Sequence, residues 1–218
     1  MNPGVLLVDL PALAARLRTR AAGASRVVVG LCGAPGAGKS TLAGLLADEL
    51  NRDAVGTAVV VPMDGFHLAA SVIAGDARAS RRGAPDTFDP AGYAALLRRL
   101  RDNAGEVVYA PEYRREIEDP VAGAIAVPPE CPVVVTEGNY LLHPDPAWRA
   151  VREQLDEVWF VEAPSDGLRV SRLIERHEHF GKSPEHARRH VFGSDERNAA
   201  LVTSHKESAD LVLRWPGW

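Results

Sequence analysis

The chain of 218 residues is long enough to bury one sizeable core, and we expect a single domain over residues 1–218. Its hydrophobic fraction of 46% and charged fraction of 25% are ordinary for a globular protein, and its net charge of -4 argues against a general nucleic-acid or membrane binder. No apolar run approaches the ~20 residues that span a bilayer, and the first residues do not resemble a signal peptide. Cys32 and Cys131, the two cysteines, suit a reducing compartment. We therefore expect a cytoplasmic protein with no nucleic-acid or membrane partner.

The first part of the chain alternates between helical and strand patterns. Residues 9–22 predict a helix that Asp9 caps and that Gly23 ends. The apolar run at residues 27–31 predicts a buried strand, a glycine-rich segment follows it, and a helix then continues to about residue 50. This succession of strand, glycine-rich turn and helix is the context of phosphate-binding loops.

The middle of the chain continues the alternation, with one long polar insertion. Residues 57–61 predict a second buried strand, of the kind that parallel sheets cover on both faces. Residues 64–89 are polar and are expected to form a segment on the substrate side. A helix follows from residue 89 to about 102. Residues 107–127 predict only short strands, because prolines interrupt the pattern.

The last part of the chain completes a set of five predicted strands. Residues 132–136, 157–161 and 209–213 each form a short apolar run. Two helices lie before the last of these strands, from about residue 165 to 179 and from about 184 to 202. Because strands and helices alternate, the pattern predicts an α/β fold with a parallel sheet and right-handed crossovers.

The glycine-rich segment after the first strand matches G-x-x-x-x-G-K-[ST], the phosphate-binding P-loop. Its glycines let backbone N–H groups turn inward around an anion, and the next helix adds partial positive charge at its N-terminus. We expect Lys39 to reach the β- and γ-phosphates of a nucleotide, and the Ser40 hydroxyl to bind Mg²⁺. The predicted nucleotide-binding residues of this segment are Gly33, Ala34, Pro35, Gly36, Ala37, Gly38, Lys39, Ser40 and Thr41.

Two other predicted strands lead into an acidic residue. Asp64 follows the strand at 57–61, and Glu137 follows the strand at 132–136. Because ligands bind beyond the carboxyl ends of parallel strands, we expect both side chains to meet the P-loop at one edge of the sheet. Asp64 is the candidate base for the proton of an attacking hydroxyl, and Glu137 is the candidate acid of the Mg²⁺ site. The alternatives are an aspartate that caps a turn and a carboxylate at the surface.

A row of basic residues follows the fourth strand. Arg169, Arg172 and Arg176 have spacings of three and four, so they share one face of a helix. Together with Lys182 they predict a mobile lid that stabilises charge on a transferring phosphoryl group. The alternative is a solvated face paired with nearby glutamates. Four histidines crowd this region, but without Cys or carboxylate partners at metal-ligand spacing they predict no zinc site.

Four motifs together extend the P-loop signal over most of the chain. They are the P-loop itself, residues 63–67 (MDGFH), residues 82–89 (RGAPDTFD) and residues 137–142 (EGNYLL). In combination they resemble the phosphoribulokinase/uridine kinase family of P-loop kinases, and most of all its bacterial nucleoside/nucleotide kinase-like branch, which is related to type I pantothenate kinase and to fructose-uptake kinases. This resemblance implies a three-layer α/β/α P-loop NTPase fold, with five parallel strands in the order 2-3-1-4-5 and a helical lid at about residues 172–190.

The same resemblance implies ATP with Mg²⁺, transfer to an alcohol, and roles for particular residues. By motif position Asp64 matches the catalytic aspartate, and Lys39 and Ser40 match the phosphate and Mg²⁺ ligands. The basic positions of the lid helix correspond to Arg169, Arg172 and Arg176. The segments that shape the acceptor pocket in relatives contain Phe66, His67, Arg82, Tyr113, Arg115 and Tyr140. Where relatives often carry an Asp-Arg pair after the aromatic near position 113, this chain has Arg114-Arg115, a departure that concerns the acceptor contacts.

These patterns predict an ATP-dependent kinase that phosphorylates a hydroxyl of a small molecule inside a closed, water-free site. Nucleoside-, pantothenate- and sugar-like acceptors all present such a hydroxyl, and the sequence leaves the choice among them open. A homodimer is an open expectation, because dimers are common in the family. The alternative from another class is a regulatory P-loop NTPase that acts on a protein partner. ADP release that depends on an added alcohol distinguishes the kinase from this switch.

Overall fold

The computed structural model describes residues 5–214 of the chain. Its strands are β1 (Val5–Leu7), β2 (Val27–Cys32), β3 (Ala58–Pro62), β4 (Val108–Arg114), β5 (Asp119–Val127), β6 (Val133–Gly138), β7 (Glu157–Glu162) and β8 (Leu211–Arg214). Its α-helices are α1 (Leu10–Ala21), α2 (Lys39–Asn51), α3 (Ala70–Ile73), α4 (Pro90–Asp102), α5 (Pro146–Arg152), α6 (Asp166–His179), α7 (Pro184–His190) and α8 (Glu196–Thr203). The alternation of strands and helices confirms the predicted α/β class.

Six strands form one parallel sheet in the order β1-β8-β7-β2-β6-β3. The five predicted strands are β2, β3, β6, β7 and β8, and their predicted order 2-3-1-4-5 is confirmed. The predicted number of strands is wrong, because β1 adds a sixth strand beside β8. This edge strand has only three residues, all exposed, and so short a run carries no detectable hydrophobic period.

Helices cover both faces of the sheet and complete three layers. Successive side chains of a strand point to opposite faces, so Val27 and Val29 of β2 belong to one hydrophobic cluster and Val28 belongs to the other. The first cluster includes α1 and α2, and the second includes α4 and α5. Because both faces of β2 and β6 are buried along their whole length, their sequences read as unbroken apolar runs.

Several helix ends match the sequence signals that predict them. The helices expected at residues 9–22, 89–102 and 165–179 are confirmed as α1, α4 and α6. The side chain at each N-cap accepts a hydrogen bond from a backbone N–H of the first turn. These N-cap residues are Asp9, Asp89 and Ser165.

Strands β4 and β5 pair in an antiparallel hairpin outside the main sheet. They have seven and nine residues, longer than the short strands that the sequence predicts. The pairing register shifts between Ala110 and Glu112, so Pro111 lies at a bulge, where the ladder needs no N–H donor. A proline at such a position bends the strand without ending it.

The chain beyond β7 folds into helices that stand over the carboxyl edge of the sheet. α6 ends at His179, and the expected break contains Gly181 in the left-handed region at φ 90°. The helical stretch predicted to extend to about residue 202 is α7 and α8, joined by a π-helical turn at Val191–Asp195. Such π-turns frequently occur at functional sites.

Two predictions made from composition concern thiols and membrane spans. Cys32, at the end of β2, and Cys131, just before β6, are both buried and free. Burial raises the pKa of the Cys32 thiol to about 11, so this thiol stays protonated at neutral pH. None of the described helices is long and apolar enough to cross a bilayer.

The carboxyl ends of β2, β3 and β6 meet at one edge of the sheet. In the strand register Cys32 lies beside Gly138, and Pro62 lies beside Glu137. The P-loop after β2, the turn after β3 and the end of β6 therefore leave the sheet at the same place. This edge is where the predicted functional residues come together.

The buried carboxylate of Glu157 offers a test of what stabilises the fold. It accepts hydrogen bonds from Arg16 at 2.6 Å and from Trp159 Nε1 at 2.6 Å, and Arg20 lies 2.5 Å from it. Burial raises the pKa of Glu157, but these hydrogen bonds and the two arginine charges outweigh it, and the net pKa is lowered.

We expect Glu157→Gln to lower the free energy of unfolding by about 2 kcal/mol at neutral pH, because charged hydrogen bonds are lost. A lowered folded-state pKa stabilises the fold above the unfolded value of 4.5 and loses that effect as the pH falls through the folded value. Urea unfolding should therefore show a difference between variant and wild type that shrinks in acid. The exposed Glu153→Gln is the control, and a difference that grows in acid would contradict the assignment.

Candidate active site

The P-loop joins β2 to α2 and is held in shape by glycines. Gly36 has φ 77°, and a Cβ at this position would lie 2.8 Å from the Arg169 carbonyl oxygen and 2.8 Å from Leu173. Gly38, at φ 94°, is the N-cap of α2. Residues with a side chain rarely adopt these angles, so the glycines let the loop turn directly into the helix N-terminus. That geometry forms an anion site from backbone N–H groups and the helix dipole.

Lys39 is buried at the start of α2, with 7% of its surface exposed. Its ammonium donates hydrogen bonds to the Ala34 carbonyl at 3.1 Å and to Asn139 Oδ1 at 2.7 Å. Burial lowers the pKa of Lys39, and the negative charges of Glu137 and Asp64 act in the opposite direction. The ammonium therefore lies between the P-loop and the acids, where a nucleotide's terminal phosphates would meet it. The sequence motif contains Asn139 but gave no indication of this contact.

Ser40 and Glu137 form the candidate Mg²⁺ site. The Ser40 hydroxyl donates to Glu137 Oε1 at 3.0 Å, and the Glu137 side chain is buried. Burial raises the pKa of Glu137, the charge of Asp64 raises it further, and Lys39 and Ser40 oppose this rise. A hydroxyl and a carboxylate oxygen are hard ligands that suit Mg²⁺, which binds few protein oxygens and keeps its remaining positions for water and phosphate. The donor set therefore fits the ion.

Asp64 lies in a 3-10 turn at Met63–Phe66, directly after β3. One carboxylate oxygen is 3.8 Å from the Arg115 guanidinium, and 34% of the side chain is exposed. The β4–β5 hairpin packs so closely against this turn that a Cβ on Gly65 would collide with the Pro111 backbone, and this contact holds the turn in place. Asp64 is thus a partly exposed carboxylate held at a set position near the P-loop.

His67 follows the same turn and has a defined tautomer. Its Nδ1 lies 2.8 Å from the Asp64 carbonyl oxygen, and a carbonyl only accepts, so Nδ1 carries the proton. Burial lowers the pKa of His67, which favours the neutral ring. Its Nε2 is then left as an acceptor.

An acceptor-side cavity of about 170 Å³ lies beside these residues. Asp64 and the P-loop residue Pro35 both contribute to its wall, so one space adjoins the candidate base and the nucleotide loop. Of the residues predicted to shape the acceptor pocket, those in the wall are Asp64, His67, Arg82, Tyr113 and Arg115.

The structure places two other predicted acceptor residues outside this wall. Phe66 packs on Tyr93, with ring centroids 4.9 Å apart. Tyr140 is 1% exposed and donates a hydrogen bond to the Gly83 carbonyl at 2.5 Å, so it supports the acceptor-side segment from below. Both had been selected by motif position, which does not reveal the direction of a side chain.

Arg82 and Arg115 are the basic side chains of the cavity wall outside the lid. Arg82 donates to Asp119 at 2.9 Å and lies 5.6 Å from the Tyr113 ring centroid, and its buried Nε has no hydrogen-bond partner among residues 5–214. Arg115 lies beside Asp64, whereas Arg114 pairs with Glu112 at 2.8 Å. Only the second arginine of the unusual Arg-Arg pair therefore faces the cavity.

The three arginines of the lid helix have different environments. Arg176 lines the cavity, and burial lowers its pKa while Asp195, Asp64 and Glu137 act in the opposite direction. Arg169 is buried, with Glu196 at 2.7 Å, and donates to the Pro35 carbonyl at 3.4 Å.

Arg172 is partly buried, outside the cavity wall. It forms no ion pair within the described part of the chain. Of the three arginines predicted for the lid, Arg176 is therefore the one that lines the acceptor-side cavity.

A cluster of His177, His190 and Asp195 also lines the cavity, and sequence reasoning missed it. Their possible metal-ligating atoms all lie within 4.8 Å of one another, with His177 Nε2 3.0 Å from Asp195. The π-turn brings Asp195 beside His190, at a spacing of five that is outside the usual ligand patterns. Lys182 lies 3.2 Å from the other nitrogen of His177, and this ammonium opposes a further cation. The contact between His177 of α6 and Asp195 therefore connects α6 to the π-turn.

The fold and this edge of the sheet together define the class of protein. A P-loop with its buried lysine, a serine–carboxylate pair for Mg²⁺ and an arginine-bearing lid over a cavity are the parts of a P-loop kinase. No protein-family model matches the chain.

Comparison with known proteins identifies the family. A Schizosaccharomyces pombe protein named "Putative uridine kinase C227.14" is 33% identical over 198 residues, which are 87% of this chain and 83% of that protein. The Escherichia coli "Uncharacterized protein YggC" is 34% identical over 189 residues, 86% of this chain and 77% of that protein. A crystal structure of a "putative fructose transport system kinase" from Silicibacter sp. TM1040 has a TM-score of 0.82 and 35% identity, and covers 96% of this chain and 100% of that one. The chain belongs to the phosphoribulokinase/uridine kinase family of P-loop kinases, and its phosphoryl donor is ATP with Mg²⁺.

We expect Lys39→Ala to reduce the affinity for MgATP at least about tenfold, because the terminal phosphates lose a buried charged donor. A fluorescent ATP analogue titrated into the full chain measures this affinity. Arg98→Ala, on the exposed side of α4, is the control for loss of a positive charge. Unchanged affinity in the Lys39 variant would contradict the assignment of the P-loop.

Proposed function

We propose that this kinase transfers the γ-phosphoryl group of ATP to a hydroxyl of a small molecule bound in the acceptor-side cavity. The observation that carries the proposal is the shared wall of that cavity, which contains Asp64 and the P-loop residue Pro35. An acceptor in this space has a carboxylate on one side and the nucleotide's terminal phosphate on the other. A site for ATP hydrolysis alone has no need of such a space.

The proposed donor side uses the residues of the P-loop and β6. The backbone N–H groups that residues 33–41 offer, all but that of Pro35, hold the phosphates, and the Lys39 ammonium binds the β- and γ-phosphate oxygens in place of its present contact to Asn139. Ser40 and Glu137 hold Mg²⁺, directly or through water. When bound, this ion neutralises charge on the phosphate oxygens.

Asp64 is the proposed base. The acceptor oxygen bonds to the γ-phosphorus, the bond from that phosphorus to the β,γ-bridging oxygen breaks, and the hydroxyl proton passes to the Asp64 carboxylate. ADP leaves with the electron pair of the broken bond. Phosphoryl transfer needs positioning more than a strong base, and the packing of Gly65 against Pro111 supplies that positioning.

Arginines stabilise the charge that the transfer spreads over the phosphoryl oxygens. Arg176 faces the cavity from the lid, and Arg115 faces it from the hairpin. Arg169 supports the P-loop through Pro35, and Arg172 reaches the phosphates only after the lid moves inward. We accordingly propose residues 172–190 as the lid and residues 64–89 as the acceptor-side segment of one domain over residues 1–218.

The cavity wall supports a polar acceptor with a flat or ring-shaped part. His67 and Tyr113 pack with centroids 4.7 Å apart, and His67 and Phe88 with centroids 4.0 Å apart, so three rings form one side of the cavity. Nucleoside-, pantothenate- and sugar-like alcohols remain the candidate acceptors, and the names of relatives include "Putative uridine kinase C227.14", "Pantothenate kinase" and "putative fructose transport system kinase". ADP formation that depends on one of these alcohols, measured over a panel, identifies the class. Dependence on a protein partner instead would support the regulatory NTPase.

We expect Asp64→Asn to lower kcat with the best alcohol of that panel by ~10²-fold or more, because the proton acceptor is lost. The affinity for MgATP should stay within about twofold of wild type, since the phosphate contacts are unchanged. Coupled ADP release measures kcat, and Asp76→Asn in the acceptor-side segment is the control, because Asp76 is exposed and forms its ion pair with its neighbour Arg78. Wild-type turnover in the Asp64 variant would remove this residue from the chemistry.

A further inference from the structure

A second and larger cleft, of about 730 Å³, lies between residues 80–84 and the end of the lid. We name it the basic cleft after its charged residues, which are Arg81, Lys182, Arg189 and Arg197. The mechanism proposed above uses none of these side chains. The volume exceeds that of the acceptor-side cavity several times, so the two spaces together can hold a molecule much larger than the group that reacts.

The basic cleft adjoins the acceptor-side cavity. Lys182, His190 and Asn198 contribute to the walls of both. No residue of the P-loop at 33–41 is among the described residues that line the cleft, whereas Pro35 lines the acceptor-side cavity. The cleft therefore extends the acceptor's space on the side away from the nucleotide's phosphates.

The charge of the cleft is one-sided. Among residues 5–214, four cationic side chains and no carboxylate line it. Arg197 donates to the Gly193 carbonyl but forms no ion pair with any described carboxylate. Ser194 and Asn198 add neutral groups that donate hydrogen bonds. Such a wall leaves positive charge uncompensated, and an anion of matching size would compensate it.

Two of the cations have carboxylate partners that lie outside the cleft wall. Arg81 pairs with Asp86 at 2.5 Å, and Arg189 pairs with Glu185 at 2.6 Å. The four side chains of these two ion pairs are each about half exposed or more, and ion pairs of this kind contribute little to stability. These arginines can therefore share their donors with a bound anion at small cost.

We infer that the acceptor alcohol carries an anionic group, a phosphate or a carboxylate, which binds in the basic cleft while the reacting hydroxyl lies at Asp64. The inference rests on the proposed phosphoryl transfer, because it assumes that the acceptor occupies the adjoining cavity. Arg197 is the main specificity residue, since its guanidinium pairs with no carboxylate among residues 5–214 and, unlike the Lys182 ammonium, does not contact a histidine. Lys182 and Arg189 assist it. A neutral alcohol leaves the Arg197 charge unpaired and binds less tightly.

A binding measurement tests the cleft without any knowledge of the acceptor. Inorganic phosphate and, separately, acetate are titrated calorimetrically into the full chain saturated with Mg²⁺ and a non-hydrolysable ATP analogue, so that the P-loop is already occupied. We expect one site for at least one of the two anions, and about tenfold weaker binding in Arg197→Gln. Arg188→Gln is the matched control, because Arg188, in the neighbouring helix α7, is exposed and does not line the cleft. The inference is overturned if neither anion binds the wild-type chain, or if the control weakens binding equally.

A kinetic measurement separates this inference from the proposed function. Matched acceptors are compared: ribose with ribose 5-phosphate for a phosphate, and pantothenol with pantothenate for a carboxylate. We expect the charged member of one pair to have a KM at least about tenfold lower, and Arg197→Gln to remove that advantage with little change in kcat. Equal KM values within both pairs, unaffected by Arg197→Gln, would overturn the cleft and leave the kinase intact. Anion binding that depends on Arg197, with no ADP formed from any alcohol, would support the cleft and count against the proposed function.

Discussion

Two buried groups of opposite charge, the Lys39 ammonium and the Glu137 carboxylate, occupy the carboxyl edge of the sheet, and the rest of the site is arranged around them. Burial alone would neutralise both groups, because it lowers the pKa of the lysine and raises that of the glutamate. Each offsets part of this effect in the other. Keeping ionisable groups out of water costs several kcal/mol, and perturbed pairs of this kind are concentrated at functional sites. A bound triphosphate would bring negative charge to the Lys39 ammonium, and its metal ion would bring positive charge to the Glu137 carboxylate.

Helix α6 of the proposed lid is in direct contact with the P-loop, and this contact would relate nucleotide binding to lid closure. The Arg169 guanidinium connects α6 to Pro35 of the P-loop and to Glu196 of α8. The backbone of Arg169 also lies so close to Gly36 that only glycine fits there. Asp195 joins the other end of α6 to the π-turn through His177. A shift of the P-loop around a nucleotide would therefore also move α6 and the side chains of α6 that line the acceptor-side cavity.

Most of the fold could be predicted from the sequence, because it depends on patterns that are local or repeated. Unbroken apolar runs marked the buried strands, and side-chain caps such as Asp9 and Asp89 marked helix starts. The strand β1 could not be found in this way, since three exposed residues at an edge have no period. The hairpin was underestimated because Pro111 lies at a bulge, and a bulge depends on the partner strand.

The residues of the candidate site could likewise be predicted where they depend on local sequence patterns, and could not where they depend on tertiary contacts. The P-loop, Asp64 and Glu137 could be located because each lies at or just after the carboxyl end of a strand, and the carboxyl ends of parallel strands meet at one edge. Asn139, Asp195 and the basic cleft could not, because they depend on tertiary contacts and on a π-turn that changes the helical spacing. Motif position also selected Tyr140, whose hydroxyl bonds to the Gly83 carbonyl and which does not itself line the cavity.

The central claim is that the triphosphate and the two acids share one edge of the sheet. A crystal structure of the chain with Mg²⁺ and a non-hydrolysable ATP analogue tests this claim most directly. We expect the γ-phosphate to lie between the Lys39 ammonium and the Asp64 carboxylate, with the ion next to Ser40 and Glu137. A γ-phosphate directed away from Asp64, with the ion bound elsewhere, would contradict the account and leave only the fold.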